Sequence, residues 1–132
     1  MLTIRPATEA DVPKLQQLMQ ETGLELDGVD YSKWSHPTLV ATRDNVVVGM
    51  IQANLGQPYA TMTEFAISPT IQLNRGRIGL KLIEGMELIM RMAGVTAYRT
   101  YERKDDPHMC ELVEKWGCER TGEGFGYIRR LQ

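Results

Sequence analysis

The first third of the chain shows a short strand-like pattern followed by a helical one. Leu2–Arg5 predicts a strand, and the run from Thr8 to Gln20 predicts a helix because its apolar residues recur on one face. Thr8 is followed three residues later by Asp11, which resembles a capping box and favours a helix start there. The pattern between Glu21 and Pro37 is weaker, and we predict a loop there with a short helical turn at Tyr31–Trp34.

Segments rich in β-branched residues come next. Leu39–Thr42 and Val46–Leu55 predict two strands, and Asp44-Asn45 between them is a plausible hairpin turn. Thr61–Ile67 alternates well enough for a fourth strand, which ends at Ser68-Pro69.

The second half of the chain begins with a long periodic helix, whose predicted apolar face holds Leu82, Met86, Ile89 and Ala93. A polar, glycine-containing stretch, Thr70–Gly79, leads into this helix, and Gly94 closes it. Val95–Tyr101 predicts a fifth strand, and a further helix is predicted to end at Gly117. A final pair of strands is predicted at Glu119–Thr121 and Tyr127–Leu131.

Length and composition indicate one globular unit. The chain has 132 residues, 42% of them hydrophobic and 24% charged, which fits a single domain over residues 1–132. No apolar run approaches the ~20 residues of a membrane span, and the start lacks a basic segment before an apolar one. Cys110 and Cys118 have no His or Cys at metal-ligand spacing, so we expect no metal site and no disulfide. A cytoplasmic protein with reduced thiols is the expectation.

The charge distribution indicates a small anionic ligand. The net charge is −2, yet residues 75–104 hold seven Lys or Arg against three Glu, a local charge of +4. Nucleic-acid binders usually carry a larger overall excess of positive charge. The central basic region therefore favours a phosphorylated cofactor over a nucleic acid.

The loop before the long helix is the best candidate for that ligand. A strand, a loop and a helix start follow one another here, and free N–H groups at a helix N-terminus favour an anion. Arg75, Arg77 and Lys81 add positive charge close to Gly76 and Gly79. This arrangement predicts a pyrophosphate site.

The order of predicted elements resembles the GNAT superfamily of acyl-coenzyme A-dependent N-acyltransferases over essentially the whole chain. LTIRPATEADVPKLQQLM is similar to that family's first strand and helix, and VVVGMIQANL to its third strand. LVEKWGCERTGEGFGYIRRL resembles its last helix, turn and two strands. The resemblance implies an α/β (α+β) fold with a mixed, mostly antiparallel central sheet flanked by helices. It also implies acetyl transfer from acetyl-CoA to a primary amine by direct attack.

The resemblance further implies which residues bind acetyl-CoA. The family carries R/Q-x-x-G-x-G/A in its pyrophosphate loop, and this chain keeps only the final glycine, with Asn74 in place of Arg or Gln and Arg77 in place of Gly. The pantetheine arm is expected along the edge of the fourth strand, where the N–H groups of Ala66 and Ile67 face the acyl carbonyl. The expected cofactor-binding residues are Ala66, Ile67, Asn74, Arg75, Gly76, Arg77, Ile78, Gly79 and Lys81.

Glu64 is the best-placed carboxylate for removing the proton of the amine. The alternative interpretation is a strand residue that merely faces solvent. The family often has a tyrosine that protonates the leaving thiolate, and this chain has Val113 at that position. Solvent remains an alternative acid, as do four side chains: Tyr98, Tyr101, His108 and Cys110.

Acidic residues and open strand edges bear on the acceptor and on the assembly of the protein. Four acidic residues lie where family members shape the acceptor site, which favours a cationic amine: Glu21, Glu25, Asp27 and Asp30. Open strand edges favour a homodimer. The alternative function is a GNAT-shaped binding protein without turnover, which holds a partner through its basic loop or exposed strand.

Overall fold

A computed structural model describes residues 1–21, 37–56, 60–101, 114–115, 117–120 and 126–131 of the 132-residue chain. The predicted turn near Tyr31–Trp34 and most of the predicted helix before Gly117 lie outside these residues. The described elements, in chain order, are β1 (Leu2–Pro6), a 3₁₀ turn (Glu9–Asp11), α1 (Val12–Glu21), β2 (Thr38–Arg43), β3 (Val46–Asn54), β4 (Ala60–Ile67), α2 (Arg75–Met92), β5 (Ala97–Tyr101), β6 (Glu119–Arg120) and β7 (Gly126–Arg130).

The strands form one seven-stranded sheet in the order β1-β2-β3-β4-β5-β7-β6. The β4–β5 pair is parallel, with α2 as its crossover, and the other neighbouring strands are antiparallel. The predicted mixed, mostly antiparallel sheet with flanking helices is confirmed.

Two local turn signals in the sequence are also confirmed. Asp44 and Asn45 have φ of 51° and 67°, the left-handed pair that a two-residue hairpin needs to match the strand twist. Gly94, at φ 81°, ends α2. The N–H of Gly94 donates to the Arg91 carbonyl (3.1 Å) and that of Val95 to the Met90 carbonyl (2.9 Å), which satisfies the last helical acceptors.

The two helices cover opposite faces of the sheet and define two cores. The larger core lies under α2, which buries Ile78, Leu82, Met86 and Met90 at successive turns. The predicted helix face included Ile89 and Ala93, but Ile89 is half-buried and Ala93 is exposed, because α2 turns the 78-82-86-90 row towards the sheet. The smaller core lies under α1 and includes these apolar residues: Leu15, Leu18, Met19, Val40, Met50 and Ala66.

None of the helices in the described part of the chain combines the length and apolar character needed to cross a membrane.

The start of α1 is fixed by a charged cap. The Asp11 carboxylate accepts hydrogen bonds from the Thr8 N–H (2.7 Å) and hydroxyl (3.1 Å), as the sequence predicted. Arg5 of β1 adds a two-pronged ion pair at 2.7 and 2.9 Å, which ties the first strand to the first helix. Chiefly through the Arg5 hydrogen bonds, and then those from Thr8, the pKa of Asp11 falls to about 2.

This depressed pKa predicts a loss of stability in acid. The folded-state pKa of about 2 lies below the ordinary 3.8. The charged Asp11 carboxylate therefore stabilises the fold above pH 4 by on the order of 2 kcal/mol, and this contribution disappears as the pH falls from 4 through 2. Urea unfolding of wild type and Asp11→Asn should differ by that amount at pH 7 and converge near pH 2. The exposed Asp44 provides the control variant, Asp44→Asn, and a wild-type advantage over Asp11→Asn that does not change with pH would contradict the prediction.

Candidate functional site

The site is built around the point where β4 and β5 part. The parallel register runs from Ala60 opposite Tyr98 to Met62 opposite Thr100 and ends there, although β4 continues to Ile67. The C-terminal half of β4 thus presents an edge that the β5 ladder does not cover. An extended ligand with amide groups can pair with such an edge.

A β-bulge lies at the same point of β4. On β3, Gln52 is opposite Glu64 and the next residue is opposite Met62, so Thr63 is the extra residue on β4. The Thr63 hydroxyl contacts both the main-chain oxygen (3.2 Å) and the side-chain Oε1 (3.3 Å) of Gln52 as a donor. Gln52 Nε2 in turn donates to Thr38 Oγ1 at 3.1 Å, and both of these side chains are buried. A hydrogen-bonded chain from β2 to β4 therefore fixes the bulge.

The sequence analysis missed this polar chain. Its one signal is Gln52, a carboxamide within the apolar run of β3, and the same signal is equally consistent with an exposed strand position. Only the pairing of three strands brings Thr38, Gln52 and Thr63 together.

Glu64, the predicted base, follows the bulge directly. Its side chain lies on the α1 face of the sheet, because Ala66, two residues on, packs in the α1 core. Glu64 is half-buried, and burial raises the pKa of its carboxyl. A partly desolvated carboxylate that is still accessible has the properties of a proton acceptor.

The backbone at the end of β4 has a defined orientation. The Ser68 N–H donates to the Val48 carbonyl of β3 at 2.8 Å. Hydrogen-bonding direction alternates along an antiparallel strand, so the N–H and C=O of Ala66 also face β3, whereas those of Ile67 face the opposite edge. Of the two predicted amides, Ile67 is the one directed to the edge that the β5 ladder does not cover.

The N-terminus of α2 supplies a group of N–H donors close by. Asn74, at φ 63°, precedes the helix without a side-chain cap, and the Ile78 N–H makes the first intrahelical bond, to Asn74 (3.1 Å). The N–H groups of Arg75, Gly76 and Arg77 come before that bond and point out of the helix end. This is an arrangement that binds anions.

The predicted pyrophosphate residues play different parts. Ile78 is fully buried, and Gly79 faces the sheet, where an added Cβ would lie 2.9 Å from Phe65 Cζ. These two residues seat α2 on β4. Lys81 is 3.5 Å from Glu84 and about 9 Å along the helix from its start, so its charge lies away from the N–H groups. Arg77 is exposed and forms no ion pair with another described residue, while the Arg75 guanidinium contacts loop carbonyls.

Tyr98 is unsuited to protonating a thiolate. Its hydroxyl is buried under α2 and donates to Glu87 Oε2 at 2.9 Å, and Arg129 donates to the same oxygen at 3.2 Å. Burial first, and then the Glu87 charge, raises the pKa of Tyr98 far above its usual range, so it holds its proton. Sequence reasoning missed Glu87, whose one signal is a carboxylate on the apolar face of α2.

The other candidate residues are not placed. The side chain of Tyr101 and residues His108, Cys110 and Val113 lie outside the description, as does the acidic stretch beyond Glu21. Among the described residues, no three His, Cys, Asp or Glu side chains gather as a metal site.

No family model and no curated protein sequence matches this chain. Solved structures do match over nearly its whole length. The PaiA N-acetyltransferase of Thermoplasma acidophilum, in complex with coenzyme A, is 17% identical with a TM-score of 0.80, over 99% of both chains. A GNAT family acetyltransferase of Elizabethkingia anophelis with acetyl-CoA bound is 16% identical with a TM-score of 0.79, over 98% of both chains. The ribosomal-protein-S18-alanine N-acetyltransferase of Escherichia coli is 17% identical with a TM-score of 0.75, over 97% of this chain and 91% of that one. The chain has the fold of GNAT acetyltransferases.

The hydrogen bonds at the bulge give a first test of the site. Thr63→Val keeps the side-chain shape and removes the hydroxyl, so the free energy of unfolding should fall by about 1–2 kcal/mol. Amide exchange over residues 63–67 should become faster. Thr61→Val is the matched control, because Thr61 lies on the same strand and its hydroxyl bonds no other described residue. Equal effects of the two variants, measured by urea unfolding and hydrogen exchange, would show that the hydroxyl does not hold the bulge.

Proposed function

From the fold shared with GNAT acetyltransferases, we propose that this chain transfers an acetyl group from acetyl-CoA to a primary amine. The observation that carries the proposal is the adjacency of two features in the described part of the chain: the β4 edge beyond the Thr63 bulge, which the β5 ladder does not cover, and the N-terminus of α2. Arg75 at the start of α2 donates to the Ser68 carbonyl just after β4 (2.6 Å), and this contact holds the end of the strand next to the start of the helix. Structures of the same fold from Thermoplasma acidophilum and Elizabethkingia anophelis hold coenzyme A and acetyl-CoA.

The two features suit the two parts of the cosubstrate. Pantetheine carries amides that pair with the β4 edge beyond the β5 ladder, as an added strand does. The pyrophosphate accepts hydrogen bonds from the first N–H groups of α2, at Arg75, Gly76 and Arg77, and the positive end of the helix dipole adds to the attraction. The Arg77 guanidinium contributes a full charge from the solvent side.

Different residues around the thioester carry out the separate steps of the transfer. The amine nitrogen forms a bond to the acyl carbon, the carbon–sulfur bond breaks, and coenzyme A leaves as a thiolate. The N–H of Ile67, rather than that of Ala66, stabilises the negative charge that develops on the carbonyl oxygen. Glu64 accepts the proton of the ammonium group, directly or through water. Solvent protonates the thiolate, whose parent thiol has a pKa of about 8.5.

The acceptor is proposed as a cationic primary amine, on the strength of the acidic residues between Glu21 and Asp30. That a second copy pairs through a strand edge stays a prediction.

Arg77 provides the test of cofactor binding. Arg77→Met removes one charge-assisted contact to phosphate, so calorimetry should show coenzyme A binding weaker by about 1.5–3 kcal/mol, roughly 10- to 100-fold in Kd. Pantetheine lacks the pyrophosphate and should bind wild type and variant equally. Arg91→Met makes the same charge change at the far end of α2 and should leave coenzyme A affinity unchanged. Wild-type affinity in Arg77→Met would exclude this residue from the pyrophosphate site.

Glu64 provides the test of catalysis. Glu64→Gln keeps the size of the side chain and cannot accept the proton, so kcat with a panel of primary amines should fall by ~10²–10⁴ at unchanged coenzyme A affinity. Burial raises the pKa of Glu64, so the wild-type rate should rise with pH through a value above that of free glutamate. Glu84→Gln, on the exposed side of α2, is the control.

The same assay separates the two functions considered for the chain. Coenzyme A binding without thiol release for any amine favours the binding protein over the enzyme. Turnover of Glu64→Gln at the wild-type rate and with the wild-type pH profile would make Glu64 an ordinary strand residue and assign deprotonation to water.

A further inference from the structure

Arg75 occupies an unusual place for a cation. It is the first residue of α2, where the helix dipole is positive and a positive side chain is unfavourable. The residue is exposed, and its guanidinium turns back onto the β4–α2 loop. Nη1 donates to the carbonyl oxygens of Ser68 (2.6 Å) and Ile71 (2.9 Å), and Nη2 lies 3.4 Å from that of Ile67.

Two of the three carbonyls, those of Ser68 and Ile71, belong to one turn, and the third, that of Ile67, directly precedes it. The Ile71 N–H donates to the Ser68 oxygen at 3.1 Å, which closes a four-residue turn at the end of β4. The hydroxyls of Ser68 and Thr70 share a hydrogen bond of 2.8 Å across it. The partial negative charges of the three oxygens offset the unfavourable position of the cation, so the turn and the helix start hold each other.

Ile67, the last residue of β4 directly before this turn, is the part of the segment that is proposed to contact the ligand. Its carbonyl and its N–H face the same edge of β4, and the carbonyl is one of the groups that Arg75 contacts. The N–H belongs to the preceding peptide unit and is joined to this carbonyl through the Ile67 Cα, so a contact that holds the carbonyl restrains the position of Ile67 and, with it, the N–H proposed to face the acyl oxygen. Arg75 itself begins the helix whose N–H groups are proposed to hold the pyrophosphate.

We infer that Arg75 is a positioning residue that locks residues 67–71 to the first turn of α2. This lock fixes the spacing between the thioester end and the pyrophosphate end of the acetyl-CoA site. The ligand in this statement rests on the proposed function, whereas the lock itself is a property of the free protein. Arg75 and Arg77, two residues apart on one helix, therefore have different roles. Arg77 places a positive charge next to the ligand, whereas Arg75 holds residues 67–71 in position against the start of α2.

The lock is tested first without any ligand. Arg75→Met should speed amide exchange of peptides covering residues 67–74 about tenfold or more, with the β1–β3 peptides unchanged as an internal reference. Arg75→Lys should restore part of the protection, because an ammonium can donate to some of the three carbonyls. Arg91→Met, about 24 Å along the helix from Arg75, should leave this segment unchanged.

Kinetics with acetyl-CoA then separate positioning from direct contact. Arg75→Met should lower kcat about tenfold as well as raise KM for acetyl-CoA, since the Ile67 N–H is no longer held in place. Arg77→Met should act mainly on KM. Arg75→Lys should recover kcat more than KM.

The outcomes are distinct. Unchanged exchange over residues 67–74 in Arg75→Met overturns the inference, and a weaker coenzyme A affinity alongside it would make Arg75 a direct phosphate ligand. Faster exchange together with a raised KM and an unchanged kcat in Arg75→Met overturns the link to the thioester end. A wild-type protein that binds no coenzyme A overturns the proposed function, and the exchange result then decides the lock by itself. If Arg75→Met does not fold, Arg75→Lys carries the same comparison.

Discussion

The extra residue in β4 is the constraint on which the candidate site depends. A regular β3–β4 ladder would keep β4 in step with its neighbours along its whole length. The bulge at Thr63 shifts the register by one residue, and the parallel pairing with β5 ends at the preceding residue, Met62. The edge beyond it, the direction of the Ile67 peptide and the half-buried position of Glu64 all follow from that shift. Hydrogen bonds to the buried side chain and the main chain of Gln52 hold it in place.

The candidate site also requires that α2 packs closely on the sheet. Glycines lie where the helix meets the strands: a Cβ on Gly49 would lie 3.3 Å from Leu82 Cδ1, and one on Gly79 would lie 2.9 Å from Phe65 Cζ. This contact brings the helix N-terminus to the end of β4. At the other end of the helix, the buried Glu87 carboxylate binds Tyr98 and Arg129 and ties α2 to β5 and β7. A buried carboxylate with two donors satisfies its hydrogen bonds, and leaving it with fewer would be costly.

The charges near the loop have roles that their positions in sequence do not distinguish. Arg75, Arg77 and Lys81 are close together in the chain and form one basic group in any charge count. In the folded chain Arg75 points away from the other two, because residues two and six apart lie on different sides of a helix. Arg77 and Lys81 are one turn apart on the same side, but they have different neighbours. Arg75 contacts loop carbonyls, Arg77 faces solvent at the helix start, and Lys81 pairs with Glu84.

The sequence by itself determined the elements and the fold. Period-two and period-3.6 patterns, the Thr8–Asp11 cap, the Asp44-Asn45 turn and Gly94 act locally, so they were readable before any contact was known. The same holds for the position of the α2 N-terminus after the β4 loop and for Glu64 on β4. Tertiary structure alone decided which amide at the end of β4 faces the open edge, that Tyr98 is enclosed with Glu87, and that Arg75 turns to the loop. Each of these depends on strand register and on groups distant in sequence, and a one-residue shift in register reverses the side to which a strand residue points.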